Sequence, residues 1–572
     1  MTNRLKKLNP MLMTDFYKTI HHLAYTPKLE YLVSYWTPRM TRIEGINKVV
    51  SFGQQAMIKE YLIDLFNENF FKRPWEEVKE EYETYIANTM TVQASDTTEM
   101  KKLHDLGYLP IRIKSVAEGE RVNLRTPMFE VSNTVKGFGW LVNYLETYMS
   151  VNIWFPMTTA TIAFEYRKLV NYYFDKTVDE GEGVRTAACG DFSMRGLTSI
   201  EGAMKASAGH LTSFTSTATI PSIAWLEEYY NCDSRKELVG KGVPSTEHSV
   251  MSSYGRDGEF ECYRHLIEDV FKTGPLSMVS DTYDYWNVIT NYLPRLKDSI
   301  MARDGKIIIR GDSGDPVDII CGETQARDYI TIDGATEENL TELFADYAIQ
   351  KFEDSVSDIR EHVRIGDKIY TVDAYIDYIP ENEAYGVKKV EITNERTLTN
   401  AQKGTVELLW DIFGGHINSK GYKVLDSHIG AIYGDSITLD RAKEIYRRLE
   451  EKGFAVTNCT LGIGSFTYQY NTRDTFGFAL KATHSIIDGE ERQIFKDPAT
   501  DKGKSGGNFK KSQKGLCYVY REGEDIVHID HQTFEDIANK TDNLLETVFE
   551  DGKLVKEFSL AEIRNRLHKG AF

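Results

Sequence analysis

Cysteine is scarce and scattered, with six in 572 residues at positions 189, 232, 262, 321, 459 and 517, none in a C-x-x-C pair. That spacing supports neither a zinc site nor a disulfide framework and fits reduced thiols. The stretch from Met1 to Pro10 lacks the apolar core of a secretory signal. No uninterrupted apolar run approaches membrane-spanning length. The expectation is a cytoplasmic chain that engages no membrane. Positive charge is also in deficit: 68 Lys+Arg face 86 Asp+Glu, a net charge of −18. A generic nucleic-acid binder needs a basic surface to neutralise phosphates, so that class drops out, while a local basic pocket stays compatible. There is no short repeat and no low-complexity tract. Neither GxxxxGK[ST] nor GxGxxG occurs where a strand–helix unit would need it, so kinase and dehydrogenase readings fall.

What is present is enough apolar material for a large core, 41% hydrophobic and 12% aromatic, on a length that suggests two or three domains. The first 150 residues mix short strands (Tyr31–Tyr35, Ile111–Ile113) with amphipathic helices at about 54–68 and 74–90. From about 185 onward apolar segments keep ending in polar clusters. Thr186–Cys189 runs into Gly190-Asp191-Phe192, Leu276–Val279 into Ser280-Asp281, and Ile429–Tyr433 into Gly434-Asp435-Ser436. Ala455–Leu461 runs into Gly462-Ile463-Gly464-Ser465. A helix over 439–453 follows one of them, with Thr438 as N-cap and Gly453 as its stop. Strands alternating with helices predict an α/β fold with a parallel sheet, whose ligands gather at the carboxyl ends of the strands. Residues 320–425 interrupt the rhythm. Within 331–400, 16 acidic and 7 basic residues leave a balance of −9. Such charge reads as a solvated face on a folded insertion. Residues 496–514 carry six lysines among Gly and Ser, a mobile loop or a steering element for an anionic ligand.

The most informative stretch is Ile307-Ile308-Ile309-Arg310-Gly311-Asp312-Ser313-Gly314-Asp315-Pro316. Three β-branched residues read as a buried strand. The turn after them offers a guanidinium suited to phosphate and carboxylates suited to ribose hydroxyls or a hydrated cation. A phosphorylated sugar is the ligand this implies; a charged loop after a core strand is the plain alternative. Four further features carry chemistry-bearing side chains. Thr246-Glu247-His248-Ser249, after an apparent strand Gly242–Pro244, places a histidine beside a carboxylate, as nucleophile, general base or structural residue. Gly190–Gly196 offers Phe192 for stacking on a planar base and Arg195 for an anion. Gly462–Ser465 is a glycine turn able to cradle phosphate. Tyr17, in Thr14-Asp15-Phe16-Tyr17-Lys18, is either a buried helix aromatic or a ring partner.

Taken in order along the chain, these pieces resemble the type II phosphoribosyltransferases, and among them the members that act on nicotinamide. Arg39, Ser280–Asp284, Thr472-Arg473-Asp474 and Phe495–Pro498 add to the match, which leaves out 320–425. The resemblance implies an irregular (β/α) barrel at 151–484 bearing the acidic insertion. It also implies an α+β domain at 1–150 with 485–572 packing back on it. The implied reaction joins nicotinamide to phosphoribosyl pyrophosphate, giving nicotinamide mononucleotide and pyrophosphate, in a homodimer with shared sites. Mg²⁺ is the implied cofactor and ATP the implied co-substrate. Phe192 and the partner copy's Tyr17 would sandwich the pyridine, Arg310 and Asp312 would line the ring–ribose junction, and Asp435 would accept ribose hydroxyls. Gly464 and Ser465 would bind the 5′-phosphate through backbone N–H groups, and Arg39 and Arg473 of the partner copy would hold phosphate or pyrophosphate. His248 would be phosphorylated by ATP, with Glu247 and Asp281 supporting it. Asp15, Arg195, Ala218, Ser277 and Gly434 complete the implied substrate-binding set. Ala218 and Ser465 depart from the pattern. At 218 the nicotinamide-using members carry an Asp that accepts from the carboxamide; here a water, Ser216 or Thr219 would substitute. At 465 they carry a glycine. The competing readings are the nicotinate-using relative, a non-catalytic binding or signalling protein on this scaffold, and a sugar-phosphate barrel enzyme with unrelated chemistry.

Overall fold

The computed structural model describes residues 8–323, 329–352, 358–380, 383–434, 436–496 and 512–572. The lysine-rich 497–511 and Asp435 lie outside them. The chain divides into two compact units. One comprises Met1–Val170, Arg185–Gly242 and Ile463–Phe572; the other comprises Asn171–Val184 and Val243–Gly462.

The first unit is built on a seven-stranded sheet. Its central strand Leu29–Thr37 pairs antiparallel with Phe129–Asn133 and with Ala479–Ile487. Ile111–Ser115 continues the sheet and takes Glu546–Glu550 beside it. Alternation of buried and half-buried positions along Ile111–Ser115 follows the two-residue period of a strand with one face on a core. Trp36 anchors that core, stacked between Phe129 and Phe478 with centroids 5.7 and 5.3 Å away. The segment predicted as a helix at 54–68 starts as one, Gln54–Met57, then widens into two π-type stretches, Ile58–Leu65 and Asn67–Phe71. The helix predicted over 74–90 is Trp75–Thr89. A second, parallel element of this unit is the pair Cys189–Asp191 and Ser216–Thr217. Helices Ile200–Leu211 and Ile220–Tyr229 follow them.

The second unit holds four parallel strands. Ile307–Gly311 lies between Leu276–Val279 and Ile429–Tyr433, and Cys459–Ile463 pairs with the last of these. The register puts Val279, Arg310 and Ile432 in one row. Both faces are covered, so the strands read as apolar runs rather than alternating ones. Asp315 caps helix Pro316–Cys321, its carboxylate accepting from Val317 N and Asp318 N. Thr438 caps Leu439–Glu451 through Arg441 N, and Gly453 sits at φ +72° just beyond the end. The sequence expectation fails at Gly242–Pro244, which is no strand: only isolated bridges form on either side, at Lys241 and Ser245. Proline has no N–H for a ladder and glycine packs weakly in a strand, so the segment is irregular. Within 320–425 the chain forms helix Leu340–Lys351 and an antiparallel sheet of Asp358–Ile365, Lys368–Ile379 and Ala384–Thr397. These enclose a small core around Phe344, Val363, Val372 and Ala374. All six cysteines are free and buried. Among the described residues no helix is long and apolar enough to cross a membrane.

Candidate active site

In the second unit the strand tips bring four of the singled-out side chains together. Arg310 ends in a guanidinium whose Nη2 donates to Asp312 Oδ2 at 3.2 Å, with Nε 3.2 Å from Oδ1. His248 Nε2 stands 3.8 Å from both Asp281 Oδ1 and Asp312 Oδ2. Its Nδ1 faces Thr282 Oγ1 at 3.2 Å. Asp281 in turn accepts from Asp312 N at 3.1 Å and from Ser313 Oγ. The two carboxylates are thus locked to one turn, and His248, half exposed, rests over both. Gly434 is needed here, because a Cβ would overlap Asp312 Oδ1. Ser277 Oγ is buried without a partner among the described residues. Glu247 accepts from Ser249 Oγ and opens the short helix His248–Ser252.

Mg²⁺ commonly binds through one or two carboxylates plus waters and substrate phosphates. Asp281 Oδ1 is a buried oxygen without a hydrogen-bond donor among the described residues, which fits that mode, and Asp312 beside it already faces the Arg310 guanidinium. No group of three or more His, Cys, Asp or Glu among the described residues forms a dedicated cage. A cleft of about 490 Å³ in this unit, between Tyr329, Arg364, Glu407 and Lys452, is lined by charges that satisfy one another.

The first unit carries two further clusters. Around Tyr17 lies a cavity of about 220 Å³ lined by Asp15, Glu146, Thr147, Trp154 and Arg473. Tyr17 is 56% exposed, and partial burial with the Asp15 carboxylate pushes its hydroxyl above the ordinary value. Arg39 donates to Gly477 O at 2.8 Å. Burial and the like charge of Arg473 lower its pKa. Sequence reasoning gave no role to Lys18, Glu146 or Lys481. Lys18 is buried and donates to Glu146 Oε2 at 2.6 Å, and Lys481 lies 3.5 Å from the other oxygen. The last cluster joins the Phe192 turn to the glycine turn: Phe192 N donates to Ile463 O at 2.8 Å. Gly464 and Ser465 then open helix Ser465–Gln469, whose first amides have no intrahelical acceptors. A Cβ at Gly196 would overlap Ser465, so the turns are in contact. Arg195 is exposed. Ala218 N donates to Asp191 O at 2.8 Å, and the neighbouring hydroxyls of Thr217 and Thr219 both donate to the Asp191 carboxylate.

A sequence model of the nicotinate phosphoribosyltransferase (NAPRTase) family matches residues 187–370 and 386–553. A nicotinamide phosphoribosyltransferase of Acinetobacter baylyi is 38% identical over 572 residues, covering 98% of this chain and 97% of that one. A nicotinamide phosphoribosyltransferase of Xanthomonas campestris is 26% identical over 567 residues, covering 97% of each. One of Mycoplasma pneumoniae is 30% identical over 417 residues, covering 72% of this chain and 73% of that one.

Proposed function

Because the chain belongs to the nicotinate phosphoribosyltransferase family, we propose that it transfers phosphoribose from phosphoribosyl pyrophosphate to nicotinamide, in the cytoplasmic salvage of NAD. The naming of its relatives favours nicotinamide over nicotinate. The observation that carries the chemistry is the convergence of Arg310, Asp312, Asp281 and His248 on one turn. Breaking the C1–O bond builds positive charge on the ribose and negative charge on the pyrophosphate. Asp312 is placed to offset the first, with Asp435 assigned the ribose hydroxyls, and Arg310 and the Arg39–Arg473 pair are suited to the second. The pyridine nitrogen attacks C1 as the C1–O bond breaks, and the electron pair leaves with pyrophosphate. The ring needs aim more than activation, which Phe192 and a second copy's Tyr17 supply by stacking. Gly464 and Ser465 take the 5′-phosphate. Mg²⁺, when bound at Asp281 and Asp312, neutralises part of the leaving group's charge.

His248 is the reading's phosphate acceptor. Its Nε2 attacks the terminal phosphorus of ATP, the P–O bond to ADP breaks, and Thr282 holds the opposite nitrogen. A homodimer with shared sites belongs to the same reading, and the exposed apolar residues beside Tyr17, Phe16 at 57% and Val151 at 61%, are compatible with a partner there. The decisive measurement is pyrophosphate release with each pyridine. A higher kcat/KM for nicotinamide is expected; preference for nicotinate overturns the substrate, and no release with either overturns the reaction. Mixing Tyr17→Ala with Asp312→Ala protomers should restore part of the activity, and no recovery would rule out shared sites.

A further inference from the structure

We infer that Asp191 is a positioning residue for the pyridine, acting through the turns it ties together without touching substrate. This rests on the reading of Phe192 as the ring platform. Asp191 ends strand Cys189–Asp191 and is fully buried. Its Oδ1 accepts from Ser193 N at 3.0 Å and Ser193 Oγ at 2.6 Å. Its Oδ2 accepts from Thr217 Oγ1 at 3.0 Å and Thr219 Oγ1 at 2.9 Å. Thr217 Oγ1 also accepts from Thr219 N at 2.9 Å. Among the described residues no Lys, Arg or His nitrogen lies within ion-pair distance of this carboxylate.

A carboxylate removed from water without a counter-charge is costly, and only well-aimed donors offset it. An apolar side chain would fill the space without that cost. The charge is therefore a constraint on geometry. Donors from residues 193, 217 and 219 must reach one point, and each hydroxyl, having a single proton, is fixed in rotation by giving it to Asp191. Those stretches bracket the residues that face the ring. Phe192 lies between Asp191 and Ser193, and its N–H is held by Ile463 O beside the Gly464 turn. Ala218 lies between Thr217 and Thr219. The ring of Phe192 rests back against Gly190: a Cβ there would come within 3.2 Å of the ring and 3.0 Å of Ser216 Oγ. Once Asp191 fixes both turns, the ring and the 218 wall have one arrangement.

Steady-state kinetics of the full chain, with the KM of each substrate determined separately, test this. Asp191→Ala is expected to raise the KM for nicotinamide by about tenfold while the KM for phosphoribosyl pyrophosphate stays within about twofold. Asp191→Asn, which keeps the shape and an acceptor for Ser193, should recover most of that loss. Thr219→Val removes one donor at constant shape and should raise the nicotinamide KM about threefold with the KM for phosphoribosyl pyrophosphate unchanged. Should Asp191→Ala not fold, Thr219→Val decides. An unchanged nicotinamide KM in Thr219→Val would overturn the inference, as would both KM values rising together in step with lost folded protein. If the unaltered chain turns over neither pyridine, the functional reading falls and this inference with it; an active chain with indifferent variants defeats the inference alone.

Discussion

Two buried carboxylates of the first unit and two of the second are held in opposite ways. In the first, Asp191 and Glu118 are at most 1% exposed, and among the described residues their donors are neutral: hydroxyls and an amide for Asp191, the Gly53 and Gln55 amides among those for Glu118. In the second, Glu407 is held by Arg364 and Lys452, and Asp373 by Arg360. Neutral donors pin backbone turns without supplying a counter-charge. Cations cancel the charge, and where the cation is itself little exposed, as Arg364 and Lys452 are, it is left uncompensated if the acid is lost. The same distinction separates Asp191 from Asp312, which stays partly exposed between Arg310 and His248, where its charge remains available to a ligand.

The sharpest way to break this comparison is Glu407→Ala. It leaves Arg364 and Lys452 uncompensated at low exposure, and removing one partner of a buried pair costs about 3–5 kcal/mol. The midpoint of chemical denaturation should fall accordingly, with activity per folded molecule unchanged. A loss no larger than that of a neutral-donor variant such as Asp191→Asn would erase the distinction. Asp312→Ala should do the reverse: kcat/KM falls about a hundredfold, or about 2.7 kcal/mol of transition-state stabilisation. Stability barely moves, because the pair it breaks is partly solvated. Parallel assays of turnover and thermal unfolding separate the two.

Much of this arrangement was legible in the sequence where the signal is local. The apolar run 307–309 with its charged turn became a strand tip, and Thr438 with Gly453 bounded a helix, because cap and stop residues act within a few positions. Arg310 and Asp312 sit two residues apart, so their proximity follows from the turn itself. What stayed hidden depends on contacts far apart in sequence. Asp191 gains its meaning from Thr217 and Thr219, 26 and 28 residues on, and Lys18 from Glu146, 128 residues on. The Ser249 contact of Glu247 was not legible either, because adjacency in sequence does not fix side-chain direction at a helix start. The wide turns within 58–71 were invisible, since π-type and α-type stretches bury nearly the same residues.

Acidity gives a finer test of the comparison, since the two kinds of site should titrate with opposite signs. Burial pushes the Glu118 carboxyl up to about 7, against the lowering effect of its amide donors. A raised carboxyl pKa means the folded state keeps its proton where the unfolded chain has lost it. The contribution is therefore full below about pH 4.5 and lost as pH rises through 7, on the order of 3 kcal/mol. Burial alone would also raise Glu407, but Lys452 and Arg364 hold it below the usual carboxylate range. Its contribution is present above the unfolded value and lost as pH falls through the folded one. Unfolding temperature measured from pH 4.5 to 8 should decline with a component absent from Glu118→Gln. A wild-type slope retained in that variant would assign the decline to other groups.

The smallest effect serves as the uncharged control. Thr438 Oγ1 accepts from Arg441 N at 3.2 Å at the start of helix Leu439–Glu451, whose Ala442, Ile445, Tyr446 and Leu449 are buried. The hydroxyl satisfies one amide that has no intrahelical acceptor, and Thr438→Ala exposes it at a cost of about 1 kcal/mol. No proton is exchanged in that loss, so it should be the same at pH 5 and pH 8. Equal shifts in denaturation midpoint at both pH values are expected. A shift that grew on acidification would mean that the cap works through charge near the helix start, and then neutral donors and cations would not be the separate devices that the two units display.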